Sequence, residues 1–256
     1  KAQLTELLTN YGEIGGIWFD GEWDQFKWDG KRFGEPMADF KLAEVYSLIH
    51  KLQPQALIGS NHHLAPNPGE DFQMFEKDLP GRSTKSFATS ADDIGSLPLE
   101  VCETINGSWG FNLKDRKHKS KKELVQYLIK AAGYDSNLLL NVGPMPNGKI
   151  QEEHIKSLKE IGDWIKVNGE TIYGTIRGPI DPTDEIASTQ KDNTIYIHLL
   201  DNRKTYFIEG YNPKIKKISY YHSNKKVKYQ KTKSGLIINV DDNELDEIDT
   251  IIELEI

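Results

Sequence analysis

The sequence predicts an α/β part followed by an all-β part, and three observations carry that reading. Over residues 1–175, helical apolar stripes alternate with short apolar runs, the pattern of a parallel sheet with helical crossovers. From about residue 176 the helical stripes stop, and short alternating segments follow one another as in a small β-sandwich. The first apolar run, Ile14-Gly15-Gly16-Ile17-Trp18-Phe19, ends on a carboxylate, Asp20. The C-terminal tip of a buried parallel strand is where α/β-barrel enzymes place catalytic groups.

Taken in order, Leu4, Leu7, Leu8 and Tyr11 recur at helical spacing before the run at 14–19, which is short and partly β-branched and so reads as a buried strand. Phe40, Leu42, Ala43, Val45, Tyr46 and Ile49 give a second helical stripe. Pro54 then precedes a short strand, Ala56-Leu57-Ile58-Gly59. Leu124, Tyr127, Leu128 and Ala131 predict a third helix. Residues Asn137 to Pro144 predict a buried strand with a turn after it, Pro146-Asn147-Gly148. His154, Leu158, Ile161 and Ile165 predict a fourth helix. Pro179, Pro182 and the polar stretch 183–192 read as a linker. Strands are then expected at 194–198, 205–208, 217–221, 236–240 and 250–254. The expected domains are therefore 1–175 and 176–256.

The 256 residues are 37% hydrophobic and 28% charged, enough to bury a core and too apolar for disorder. A net charge of −7 argues against nucleic acid as a partner and suits a neutral substrate. Runs such as Lys225-Lys226 read most simply as solvated faces. Cys102 is the single cysteine, which leaves no internal disulfide framework and no cysteine-based zinc site. No stretch is long and apolar enough for a membrane span, and no signal-peptide pattern is visible. No metal or cofactor is expected.

Asp20 sits between Trp18 and Trp23, whose flat apolar faces are of the kind that contact sugar rings; it also fits a helix N-cap. Four strings, Ile17-Trp18-Phe19-Asp20-Gly21, Glu100 to Asn112 (EVCETINGSWGFN), Asn137 to Gly148 (NLLLNVGPMPNG) and Gly169 to Thr175 (GETIYGT), occur in this order. Together they resemble a family 29 glycoside hydrolase, an α-L-fucosidase. The resemblance implies a (β/α)8-like barrel followed by a C-terminal β-sandwich, so that residues 1–175 would be the C-terminal part of a barrel. It implies a retaining exo-glycosidase releasing terminal fucose from a fucosylated glycan through a covalent glycosyl-enzyme. Secreted or periplasmic localisation would also fit the family.

Carried over by motif, the resemblance makes Asp20 the nucleophile. It places the acid/base in the loop after the strand at 56–59, which holds Ser60-Asn61-His62-His63 and Glu70-Asp71-Phe72-Gln73-Met74-Phe75-Glu76. Glu76 matches the register of the Asp-Phe-x-x-x-Glu pattern better; Glu70 is the runner-up. Trp109 matches an aromatic that packs against the sugar, and a core tryptophan is its alternative reading. The methyl group of fucose calls for an apolar wall, which Trp18, Trp109 and Phe111 would build. Its hydroxyls call for neutral donors and acceptors, which His62 and His63 would supply. A shared metal on these adjacent histidines fits less well, because neighbours on an extended chain point apart.

The chain departs from the family pattern in three places. The family's barrel has an N-terminal half upstream of the nucleophile strand, whereas this chain begins one helix before it. A partner half, in cis or as a second chain, is therefore expected, with little or no turnover from the chain by itself. His63 falls near where many relatives carry arginine, and Leu99 replaces a tryptophan often found before Glu100. Two other function classes follow: a carbohydrate-binding or structural fragment without turnover, and a retaining hydrolase of another deoxy or neutral sugar.

Overall fold

The computed structural model describes residues 1–21, 26–28, 33–36, 38–62, 65–82 and 94–256, with side chains of 26, 28 and 33–36 left aside. Of the residues singled out in the sequence, Trp23 and His63 lie outside the described set. The chain divides into two units, Lys1–Glu103 and Thr104–Ile256.

The first unit runs α1 (Ala2–Asn10), β1 (Gly16–Phe19), β2 (Phe26–Trp28), β3 (Phe33–Pro36), α2 (Leu42–Leu52), β4 (Leu57–Ser60), β5 (Gln73–Glu76) and β6 (Leu99–Thr104). Strands β1 and β4 pair in parallel, as do β5 and β6, while β2 and β3 form an antiparallel hairpin. Apolar residues at helical spacing on α1 and α2 explain the packing. Leu8, Val45, Tyr46 and Ile49 bury against Ala56 and Ile58, with Ile17 and Phe19 on the same side of β1. The alternate residues, Gly16 and Trp18, face the other way, since side chains alternate along a strand. Gln53 locks this arrangement. Its Nε2 donates to the Leu8 and Gly12 carbonyls, both at 2.8 Å, and its Oε1 accepts from Ile14 N at 2.7 Å. One buried amide thus satisfies the end of α1 and the entry to β1.

The second unit contains α3 (Lys121–Gly133), β7 (Ser136–Asn141), α4 (Glu152–Asn168) and strands β8 (Ile176–Arg177), β9 (Ile186–Lys191), β10 (Thr194–Leu199), β11 (Thr205–Glu209), β12 (Lys217–Tyr220), β13 (Lys228–Lys231), β14 (Gly235–Asn239) and β15 (Thr250–Glu255). A capping box starts α3: Glu123 N donates to Ser120 Oγ at 3.2 Å, and Ser120 N donates back to Glu123 at 2.7 Å. Two antiparallel sheets, ordered β12-β15-β10-β9-β8 and β11-β14-β13, enclose a core that includes Ile195, Ile197, Leu199, Ile208, Leu236, Ile238, Ile252 and Leu254. The opposite face of the larger sheet, through Ala187, Tyr196 and Ile251, packs on α3 and α4. Gln126 of α3 donates to the carbonyls of Leu200 and Ile248 at 2.5 and 2.7 Å, stitching helix to sheet.

The stretch 183–192, expected to be a linker, instead supplies β9. Its polar composition misleads because its buried hydroxyls are paired with backbone. Ser188 Oγ accepts from Ile180 N and donates to Ile180 O, and Thr189 Oγ1 donates to Thr171 O at 2.6 Å. Strands β2, β3, β5, β6, β8 and β13 are likewise not expected from the sequence.

Candidate active site

Asp20 stands immediately past the end of β1, and the chain turns there because Gly21 takes φ +88°, a conformation natural to glycine. Register fixes its neighbour. Phe19 pairs with Ser60, and Asn61 N donates to the Phe19 carbonyl at 2.9 Å, so Asp20 and Asn61 are the next residues beyond two paired parallel strands. Glu76 closes β5, and Lys77 after it also turns with positive φ, +58°. The segment leading into β5 is held to β4, with Asp71 N donating to the Ile58 carbonyl and the Asp71 carboxylate accepting from Ile58 N, both at 2.8 Å. His50 Nε2 meets the same carboxylate at 2.8 Å. Three strand tips of the first unit are thereby brought together.

Asn61 joins the two carboxyl groups. Its Nδ2 donates to Asp20 Oδ1 at 3.1 Å and to Glu76 Oε2 at 2.8 Å. Oxygens sharing one amide nitrogen lie within about 6 Å of each other, two hydrogen-bond lengths being the limit. Asn61 is buried, and its Oδ1 has no hydrogen-bond partner among the described residues. Asp20 is exposed and Glu76 half-buried, so both carboxyl groups can meet a ligand. Cys102 lies across from Glu76 in the parallel register. Burial, reinforced by the carboxylates of Glu76 and Glu100, pushes its thiol up to about 12, so it is a protonated core group.

Glu70 occupies different surroundings. It is buried, and its carboxylate accepts from Tyr46 Oη at 3.0 Å, from Asn67 Nδ2 at 3.3 Å and meets His62 Nε2 at 3.0 Å. His62 is only 2% exposed, with this ring nitrogen on Glu70. The indole of Trp18 is 42% exposed on the face of β1 opposite the helices.

In the second unit, the Trp109 indole is 37% exposed, and its carbonyl accepts from Asn141 Nδ2 at 2.7 Å at the end of β7. Gly143 makes the close approach behind this loop: a Cβ there would stand 2.6 Å from Gly110 C and Phe111 N. Asp115 Oδ2 also holds the loop by accepting from Gly107 N at 2.8 Å. Further along, the His118 and His154 rings meet edge-on at 5.4 Å. His154 is buried with neither ring nitrogen bonded, and burial lowers its pKa from the usual histidine value. A buried pair, His198 Nδ1 with Asp249 at 2.7 Å, lies on the larger sheet, where His198 stands in register with Ala187 and Ile251 of the helix-covered face. Among the described residues, no group of three or more His, Cys, Asp or Glu is placed to hold a metal, and no helix is long and apolar enough to cross a membrane.

Sequence reasoning named Asn61 only as one of a string of polar loop residues and gave it no role. Its signal was positional: the first residue past a strand paired with the Asp20 strand.

Comparison with known proteins bears on this site. Residues 1–170 match the family described as α-L-fucosidase. Over 177 residues the chain is 30% identical to α-L-fucosidase 1 of Arabidopsis thaliana, covering 63% of this chain and 33% of that protein. Over 161 residues it is 38% identical to human plasma α-L-fucosidase, covering 52% of this chain and 34% of that protein. The structure aligns with that of α-L-fucosidase isoenzyme 1 from Paenibacillus thiaminolyticus with a TM-score of 0.74 and 32% identity, over 99% of this chain and 60% of that one. The chain thus spans about a third of the length of the curated relatives it matches. With the family match extending over residues 1–170, from α1 through α4, the chain belongs to the α-L-fucosidase family.

Proposed function

We propose that this chain carries the catalytic carboxyl pair of a retaining α-L-fucosidase, with Asp20 as nucleophile and Glu76 as acid/base. The observation that carries the reading is the shared Asn61 amide at 3.1 and 2.8 Å. It brings two carboxyl oxygens within about 6 Å, close to the ~5–5.5 Å of retaining enzymes and short of the ~6.5–9.5 Å of inverting ones. Asp20 attacks the anomeric carbon while Glu76 protonates the departing glycosidic oxygen, leaving fucose esterified to Asp20. Glu76, now a carboxylate, takes a proton from water as that water attacks the same carbon, and the sugar leaves with its configuration retained. Glu70 is set aside as the acid because Tyr46, Asn67 and His62 surround its carboxylate away from the surface. Trp18 offers an apolar face for the fucose methyl group, its indole being partly exposed; Trp109, in the second unit and also partly exposed, keeps its proposed role as an aromatic that packs against a sugar. His63 remains proposed for a sugar hydroxyl on the resemblance alone, while His62, with Nε2 on Glu70, holds the loop that carries Asn61.

Residues 1–175 are proposed as part of a (β/α)8-like barrel and residues 176–256 as its following sandwich. A complementary barrel half, in cis or as a second chain, completes the sugar pocket. Supporting this, Leu57 and Leu139 on strands β4 and β7 are 53% and 48% exposed, whereas barrel strands are covered on both faces. These same faces favour the second reading, a carbohydrate-binding piece without turnover.

The test joins the chain to the N-terminal barrel half of a relative and follows hydrolysis of an aryl α-L-fucoside. The first-formed sugar should be the α-anomer by NMR. Asp20→Asn, nearly isosteric, should lower the rate by at least about 10³-fold. Inversion, or an Asn variant of near-parental rate, would overturn the assignment. Binding of fucose without turnover would support the second reading.

A further inference from the structure

In a chain of net charge −7, residues 214–233 hold eight lysines and no aspartate or glutamate. All eight lysines are exposed. This segment contains β12, an outer strand of the five-stranded sheet, and the turn that leads to β13. Ile218 and Tyr220 turn into the core between the sheets, so Lys217 and Ser219 face the other side. The chain then doubles back: Asn224 N donates to the Tyr220 carbonyl at 2.9 Å, Tyr220 N to the Lys225 carbonyl at 2.9 Å, and Ser219 forms a bridge with Lys226. The return brings Asn224, Lys226 and Tyr229 beside Lys216, Lys217 and Ser219 around a hollow of about 290 Å³.

The cations in this hollow are not consumed by internal pairs. Lys225, at its edge, is drawn to Glu244 at 2.7 Å, and Lys216 Nζ donates to the Ile256 carbonyl at 2.8 Å. Lys217 and Lys226 make no ion pair among the described residues, although Glu255 and Glu253 lie opposite Lys217 and Ser219 in register on β15. Like charges crowded on one edge repel one another, and an anion placed between them relieves that repulsion. Beside the ammonium groups stand an exposed tyrosine ring, a carboxamide and the Ser219 hydroxyl, which has no hydrogen-bond partner among the described residues. A flat apolar face with neutral hydrogen-bonding groups suits a sugar ring.

We propose that this groove binds an anionic polysaccharide, a chain of sugar rings bearing sulfate or carboxylate groups. The acidic remainder of the surface repels a large, densely charged duplex as a whole, whereas a short oligosaccharide on one sheet edge meets chiefly the lysines. The groove belongs to the second unit, and the proposal does not rest on the assignment of the carboxyl pair.

Titration calorimetry of the full chain with a heparin-derived hexasaccharide tests the proposal, with maltohexaose and a short DNA duplex as comparators. The hexasaccharide should bind, weakening as salt rises, and maltohexaose should not. The double variant Lys217→Glu/Lys226→Glu should weaken binding by about 10-fold or more, through lost attraction and new repulsion. Tyr229→Ala should weaken it several-fold with the salt dependence kept. Lys233→Glu, in the same lysine run but not lining the groove, should leave it within about twofold. All these side chains are exposed, and thermal melting checks that the variants remain folded. Binding within twofold of the parent for the double variant, equal loss with Lys233→Glu, equal affinity for maltohexaose, or equal affinity for the duplex would each overturn the proposal.

Discussion

At Asp20 two side chains meet because the strands beneath them are paired: Phe19 faces Ser60, so the residues after them, Asp20 and Asn61, are neighbours. Glu76 joins them from a third strand tip, and its half-exposed position contrasts with the enclosed Glu70. Loss of a general acid harms substrates with poor leaving groups most, because activated ones need little protonation. Glu76→Ala in the completed enzyme should therefore slow natural fucosides by about 10²–10⁴-fold and activated aryl fucosides far less. Glu70→Ala should lower the rates of both alike, through the His62 loop. Steady-state kinetics on both substrate types decides, and the reverse pattern would make Glu70 the acid. His154 carries a separate prediction. Burial lowers its pKa in the fold, so between the usual histidine value near 6.5 and the lower folded value the unfolded chain holds the extra proton. Its contribution is thus fully present above pH ~6.5 and is lost as pH falls toward the folded value. The denaturation midpoint of the parent should drop more between pH 7.5 and 5.5 than that of His154→Phe; equal drops would show that His154 does not couple to folding.

Among the elements, those with strong periodicity were legible in the sequence. The stripe Val45, Tyr46 and Ile49 gave α2, the run to Phe19 gave β1, and alternating segments gave β10, β11, β12, β14 and β15. Other elements were hidden for physical reasons. Buried Ser188 and Thr189 make β9 look like a linker because their hydroxyls bond to backbone rather than water. Strand β13 has four exposed residues, so no apolar alternation marks it. At the site, Asp20 and Trp18 were legible from their place at a strand end, and the choice between Glu70 and Glu76 came from a motif. The link through Asn61 was not legible, because it depends on register between strands distant in sequence. The loop bearing Trp109 gives a prediction at this scale. Gly143 lets backbone approach backbone, and an added Cβ would stand 2.6 Å from Gly110 and Phe111. Gly143→Ala should displace that loop and weaken fucose binding in the completed enzyme about tenfold or more, with a stability loss of only ~1–3 kcal/mol. An unchanged KM, measured alongside thermal melting, would remove Trp109 from the sugar pocket.

For the molecule as a whole, the five-stranded sheet is covered on one face by the smaller sheet and on the other by α3 and α4, so Thr104–Ile256 shares continuous packing from helices to sandwich. The candidate carboxyl pair belongs to the other unit, Lys1–Glu103, where strand faces bearing Trp18 and Leu57 remain open. A complementary barrel half is proposed to cover the Leu57 face and to complete the sugar pocket around Asp20 and Glu76. If Asp20 is the nucleophile, fucose becomes covalently attached to it, and mass spectrometry reads that bond. The chain joined to the N-terminal barrel half of a relative would be treated with 2-fluoro-fucosyl fluoride, whose fluorine slows release of the sugar from a retaining enzyme's nucleophile, and then digested with a protease. One fluorofucosyl adduct is expected on the peptide containing Asp20, and none after Asp20→Asn. An adduct on Glu70, Glu76 or another residue, or no adduct on an enzyme that hydrolyses aryl fucosides, would contradict that assignment.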